Sequence, residues 1–164
     1  YGYGVKSQTN ARLNSRGRKR TKKWESIAPY KSQYELKVAD TLTKAEIDFQ
    51  YEPKKIKYIY PTKRGRCKTC GGSNVGRLAT YTPDFWFPKH GFWVEAKGKW
   101  DSAGRTKTLA VLDSDNELNR DNFAMLFMYN NWVTRTHAQR YTDWCDKHEI
   151  VCAVGTEIPM EWLK

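Results

Sequence analysis

The sequence predicts an α/β fold with a mixed central β-sheet flanked by helices, and three stretches carry that prediction. Glu35, Val38, Ala39 and Leu42 recur at helical spacing and share one face of a helix. From Tyr81 to Lys97, two runs rich in aromatic and β-branched residues flank the turn Pro88-Lys89-His90-Gly91, the pattern of a β-hairpin. Phe123 to Met128 is an unbroken apolar run, suited to a central strand buried on both faces. In chain order the elements run helix, strands, hairpin, helix, strand, helix, strand.

Residues 1–31 hold nine Lys or Arg (Lys6, Arg12, Arg16, Arg18, Lys19, Arg20, Lys22, Lys23 and Lys31) against the single acid Glu25. With almost no apolar periodicity, this segment is expected to be a flexible basic arm that lies along phosphates, as Arg16, Arg18, Lys19, Arg20, Lys22 and Lys23 would allow. The plainer reading is a tail that keeps the protein in solution. A single folded domain is expected over residues 32–164. Its first helix runs from Ser32 to about Lys44, where Ser32-x-x-Glu35 also fits a capping box that satisfies the first backbone amides. Glu35 therefore has two readings, a cap or an acid aimed at a site.

Ile47, Phe49 and Tyr51 alternate, as do Ile56, Tyr58 and Tyr60, so two strands or one bent strand precede the hairpin, with Pro53 marking an edge or a break. Residues 61–80 read as an inserted basic, Gly-rich loop with Lys63, Arg64, Arg66, Lys68 and Arg77 able to meet phosphates. After the hairpin, a helix is expected from about Ala103 to Leu112, and Arg105 and Lys107 near its start are poorly placed for the helix dipole. They are candidate phosphate ligands for that reason. A polar turn with Asn130, Asn131, Arg135, Thr136 and His137 precedes a helix to about His148 and a strand from Ile150 to Ala153. Pro159 to Leu163 closes the chain with a helical turn. Most of the 14% aromatic residues alternate with polar ones in strands and are expected in the core rather than stacked on bases.

The chain has 164 residues, enough for one domain with a real core. Lys plus Arg number 29 against 18 Asp plus Glu, a net charge of +11 that points to a polyanionic partner. No run approaches the length of a membrane span and no secretory h-region is seen, so an intracellular protein without membrane association is expected. Cys67-Lys68-Thr69-Cys70 is half of a zinc knuckle, and the partners available to complete a four-ligand set are Cys145 with His148, or Cys152. Otherwise Cys67 and Cys70 are loop thiols, and Cys145 and Cys152 are small buried residues. His90, His137 and His148 are dispersed, which argues against a histidine-centred site.

The hairpin carries the chemistry. If Phe87 pairs with Phe92, antiparallel pairing carried three residues back along the first strand sets Asp84 opposite Glu95. Alternation puts Lys97 on the face of Glu95. Opposed carboxylates repel unless something compensates, and a divalent cation would do so. All-oxygen donors suit Mg²⁺, and a neighbouring lysine can orient a water or offset developing charge. A solvated face with a cross-strand ion pair is the bland alternative.

Pro83-Asp84, ten intervening residues and Glu95-Ala96-Lys97 resemble the PD-(D/E)xK nuclease motif in order, spacing and hairpin context. Tyr81-Thr82-Pro83-Asp84-Phe85 and Val94 to Trp100 are similar to the phage-type endonuclease I family of Holliday-junction resolvases, as, weakly, is Tyr1-Gly2-Tyr3-Gly4. That resemblance spans about residue 32 to the C-terminus and is strongest from Tyr81 to Lys107. It implies a restriction-endonuclease-like nuclease core in residues 32–164 and hydrolysis of branched DNA. It also implies Mg²⁺, with Mn²⁺ as a substitute, and a homodimer that exchanges its first elements. Glu35, Asp84, Glu95 and Lys97 would form the catalytic set, with Asp84, Glu95, Glu35 and the Ala96 carbonyl holding metal. Lys99, Arg105 and Lys107 would grip DNA. The family often has an acid just before Arg105 where this chain has Gly104, and no structural zinc is expected of it. A phage origin and action in the bacterial host cytoplasm are further implications. A sequence-preferring nicking or restriction-type enzyme and a catalytically silent DNA-binding module are the alternatives, with a zinc-knuckle RNA-binding protein behind them.

Overall fold

The structure, a computed structural model, describes residues 29–61 and 76–164. The first helix, α1, spans Gln33–Lys44, a segment without Gly or Pro, and Ser32 caps it by accepting the Glu35 backbone N–H at 3.2 Å. It buries Glu35, Val38, Ala39 and Leu42, the stripe expected from their spacing, together with Tyr34. Its end is held by Glu46 N–H to the Thr43 carbonyl and Ile47 N–H to the Leu42 carbonyl. This closure places Glu46 at φ 56°, in left-handed space that costs a residue with a Cβ. Glu46 is exposed and its position is one that favours glycine. Glu46→Gly is therefore expected to raise stability by roughly 0.5–1 kcal/mol, read by chemical denaturation.

Seven strands follow in two sheets: β1 Gln50–Tyr51, β2 Ile56–Tyr60, β3 Arg77–Tyr81, β4 Phe85–Phe87, β5 Phe92–Lys97, β6 Phe123–Phe127 and β7 Val151–Val154. The larger sheet has the order β1-β4-β5-β6-β7, and β2 pairs with β3 in a separate ribbon. The β1–β4 and β4–β5 pairs are antiparallel, whereas the β5–β6 and β6–β7 pairs are parallel. The parallel pairs are joined through helices α2, Ser102–Leu112, and α3, Tyr141–Lys147, the crossovers that parallel pairing requires. A 3-10 turn at Met160–Leu163 ends the chain.

Alternation sorts the core into two layers. Phe85, Phe87, Phe92, Val94, Ala96, Ala124 and Leu126 pack with α1 on one face of the sheet. Trp93, Phe123, Met125 and Phe127 face the other way, against α2, α3 and the ribbon residues Ile56, Tyr58 and Tyr81. β6 is buried at every position, as a central parallel strand must be.

Two expectations change. The basic segment read as a loop over residues 61–80 ends in β3, because Arg77–Tyr81 finds a ladder partner in β2. Tyr81, read as the start of the hairpin, consequently belongs to the ribbon, and the hairpin strand begins at Phe85. Pro83 has no N–H to continue a ladder, which accounts for the break between the two strands.

Candidate active site

The hairpin register is Phe87 with Phe92, Trp86 with Trp93 and Phe85 with Val94. One residue beyond this ladder, Asp84 turns its carboxylate onto β5, where Oδ2 accepts the Ala96 N–H at 2.9 Å. Glu95 projects from the same face of the sheet as Trp93, and Lys97 follows it two residues on. The Lys97 ammonium pairs with Glu95 Oε1 and stands 3.8 Å from Asp84 Oδ2. Asp84 and Glu95 are 4% and 3% exposed, so this is no solvated ion pair on an open sheet face.

Burial of two acids around one lysine sets the electrostatics. Burial, then the Glu95 charge, pushes the Asp84 carboxyl well above the usual range, against the pull of Lys97. Burial opposes the Lys97 charge, but Glu95 and then Asp84 outweigh it and raise the ammonium pKa. The site is thus short of positive charge. Glu95 Oε2 is buried with no hydrogen-bond partner. A hard cation is the group that an orphaned carboxylate oxygen beside a second carboxylate would accept, so the residues present fit Mg²⁺ or Mn²⁺.

Glu35 arrives from the opposite layer, at the start of α1. Its Oε1 accepts the Ser32 hydroxyl at 2.7 Å, and its Oε2 accepts the Lys31 N–H at 2.9 Å and the Tyr51 hydroxyl at 2.5 Å. These bonds tie it to the start of the helix and to β1, through the Ser32 hydroxyl and the Lys31 N–H rather than the Ser32 N–H of a full capping box. Its charge still bears on both Asp84 and Lys97, so it belongs to the same electrostatic neighbourhood. Among the described residues no three His, Cys, Asp or Glu side chains gather into a ready metal cluster.

The exit from β5 is fixed by packing. The Trp100 N–H donates to the Tyr141 hydroxyl at 2.9 Å, and the Trp100 ring meets Phe127, Tyr141 and Trp144. Met128 N–H donates to the Lys97 carbonyl at 3.0 Å. Together these hold the strand end that carries Lys97. Arg105 is half-buried and donates to the Trp100 carbonyl at 2.8 Å, and Lys107 stands 4.8 Å from the Tyr81 ring centre. Lys99 is exposed just past the strand, and Arg77 lies over Tyr60. At Gly104, a Cβ would come 2.9 Å from Trp100 Cδ1, so the side chain missing here leaves room for Trp100.

Arg16, Arg18, Lys19, Arg20, Lys22, Lys23, Arg64, Arg66, Cys67 and Cys70 lie outside the described residues. Of the remaining zinc candidates, Cys145 is buried, and its contact with the Cys152 thiol, then its burial, raises its pKa. The His148 ring packs on Trp144, with ring centres 4.0 Å apart. Tyr51 and Tyr81 are neighbours of the site that sequence reasoning did not assign: the alternation of Ile47, Phe49 and Tyr51 carried no hint of the Tyr51 contact, and β3, which carries Tyr81, was read as the end of a loop and the start of the hairpin.

A mixed sheet whose antiparallel hairpin delivers Asp84, Glu95 and Lys97 to one end is the α/β core of the restriction-endonuclease-like nucleases. The chain belongs to the phage endonuclease I family, which it matches over residues 16–164. It is 30% identical over 141 residues to Endonuclease I of Escherichia phage T7, covering 84% of this chain and 80% of that protein. It is also 31% identical over 124 residues to Endodeoxyribonuclease 1 of Enterobacteria phage T3, covering 76% and 70%. No helix among the described residues is long and apolar enough to cross a membrane.

Proposed function

We propose that this endonuclease hydrolyses phosphodiester bonds in branched DNA and resolves four-way junctions, using Mg²⁺ or Mn²⁺. The observation that carries the chemistry is the buried pair Asp84 and Glu95 beside Lys97, with one Glu95 oxygen left without a partner. Asp84, Glu95 and the Ala96 carbonyl would hold the cation, with Glu35 completing the set. When bound, the cation supplies Lewis acidity that activates water and offsets the phosphate charge.

The protein's own residues do the rest. Lys97 holds the attacking water in place and balances negative charge as it grows in the transition state. Ala96 N–H fixes the Asp84 carboxylate, so its free lone pairs keep one direction. Arg77, Lys99, Arg105 and Lys107 receive phosphates, joined by the basic arm and by Arg64 and Arg66. Phosphate contacts position DNA without reading its sequence, so selectivity for a branch comes from the spacing of basic channels. Two copies that exchange their first elements would place two sites on one junction, since resolution needs paired cuts. The net charge of +11 favours such a polyanion, and phage relatives favour action inside the bacterial host.

The test is cleavage of a labelled four-way junction beside a linear duplex of the same arm sequences, with Mg²⁺ or with EDTA. Preferential cutting of the junction, only with metal, is the expected outcome. Equal cutting of both DNAs would leave the hydrolytic site standing and move the substrate to a nicking or restriction-type target. Binding of both without cleavage would sink the catalytic reading.

A further inference from the structure

Among the described residues, two buried side-chain polar atoms lack any hydrogen-bond partner, the Tyr81 hydroxyl and Glu95 Oε2. Buried polar groups are almost always paired, so each orphan calls for an explanation. They also belong to neighbours. We infer that Tyr81 is a positioning residue whose hydroxyl donates to the Glu95 carboxylate and orients it for the divalent cation, an inference that rests on the metal-centre reading above.

Three features place the phenol for this role. Tyr81 ends β3 opposite Ile56, and the Lys107 ammonium lies over its ring, so the ring is held from the ladder and from its face. The residue is 3% exposed, which leaves the hydroxyl no water to turn to. Glu95, then Asp84, are the charged groups that bear on the phenol, and Glu95 leaves the sheet on the same face as Trp93, which shares a core cluster with Tyr81. A phenol offers one donor and an ionised carboxylate only acceptors, so the two orphans are complementary.

The geometry divides the Glu95 carboxylate. Lys97 takes Oε1 from one side, and Tyr81 approaches from the ribbon. With the carboxylate plane fixed by both neighbours, its remaining lone pairs point in one direction. Partners of this kind, one step removed from the metal, typically change its affinity about 10- to 100-fold when lost. If Tyr81 were an ordinary core residue, phenylalanine would serve better, since it fills the same space without an unpaired hydroxyl.

The experiment compares the full native chain with Tyr81→Phe by calorimetric titration with Mn²⁺ in the absence of DNA, and by thermal melting without metal. The expected result is about tenfold weaker Mn²⁺ binding by Tyr81→Phe, with a metal-free Tm no lower than that of the native chain. Equal Mn²⁺ affinity in the two proteins would overturn the inference and leave the metal centre intact. A Tyr81→Phe chain that fails to fold would also overturn it, by making the hydroxyl a determinant of the fold. Absence of Mn²⁺ binding by the native chain would instead overturn the metal-centre reading, and the inference with it.

Discussion

Glu95→Gln is expected to lower the rate of DNA strand cleavage about 100- to 1,000-fold or more while leaving DNA binding within a few-fold of the native chain. Glutamine keeps the shape of the side chain, so the 3%-exposed position on β5 is filled as before. What it loses is charge. The cation would lose one of its two adjacent anionic ligands, and Lys97 would lose the carboxylate with which it pairs. Lys97 would then be held by Asp84 alone, from 3.8 Å, and would no longer be fixed where the attacking water must sit. Binding should survive because the residues proposed to receive phosphates are others and the attraction follows the net charge of the protein. Single-turnover cleavage of a junction, with gel-shift binding in EDTA as the control, measures both. A Glu95→Gln chain that cuts within tenfold of the native rate would remove Glu95 from the chemistry.

The elements that were legible in the sequence are those whose signal is local. The register of the hairpin followed from one turn, Pro88 to Gly91, and it alone brings Asp84 to the face of Glu95 and Lys97. The α1 stripe and the all-apolar β6 were equally plain, because burial on one face or two leaves a direct trace in residue spacing. β3 was not legible. Arg77, Leu78, Ala79, Thr80 and Tyr81 look like the end of a basic loop, and they become a strand only because β2 offers its edge. That missed strand is why Tyr81 was placed in the hairpin, and why its approach to Glu95 from a second sheet could not be foreseen. Glu35 was legible only as a choice between two roles. Its spacing from Ser32 announced the cap, while its closeness to Asp84 and Lys97 depends on how α1 packs across the sheet. Local pattern thus located the hairpin carboxylates and the lysine, and tertiary packing decided what surrounds them.

Asp84→Asn is expected to trade activity for stability. In the metal-free fold, burial and then Glu95 hold the Asp84 carboxyl well above its usual pKa, with Lys97 opposing. In the unfolded chain an aspartate ionises near about 3.9. Between that value and the higher folded pKa, the native state keeps a proton that the unfolded chain has lost. Stability therefore falls as pH rises through this window, and above it the fold carries a buried charge next to Glu95. Asparagine removes the charge and still accepts the Ala96 N–H, so the one hydrogen bond that fixes this side chain is retained. Metal-free Asp84→Asn should exceed the native chain in stability by about 0.5–2 kcal/mol at pH 8, and the gain should shrink as pH approaches 4. Cleavage should fall about 100- to 1,000-fold or more, because a neutral amide is a poor ligand for a hard cation. Added Mn²⁺ should raise the Tm of the native chain and have much less effect on the variant, since only a state that binds the ion is stabilised by it. Urea unfolding at the two pH values, with and without Mn²⁺, separates the terms. Lower stability of Asp84→Asn at both pH values would mean that the Asp84 charge supports the fold through Lys97, and that the carboxylate pair is held together by its lysine rather than kept in tension for a cation.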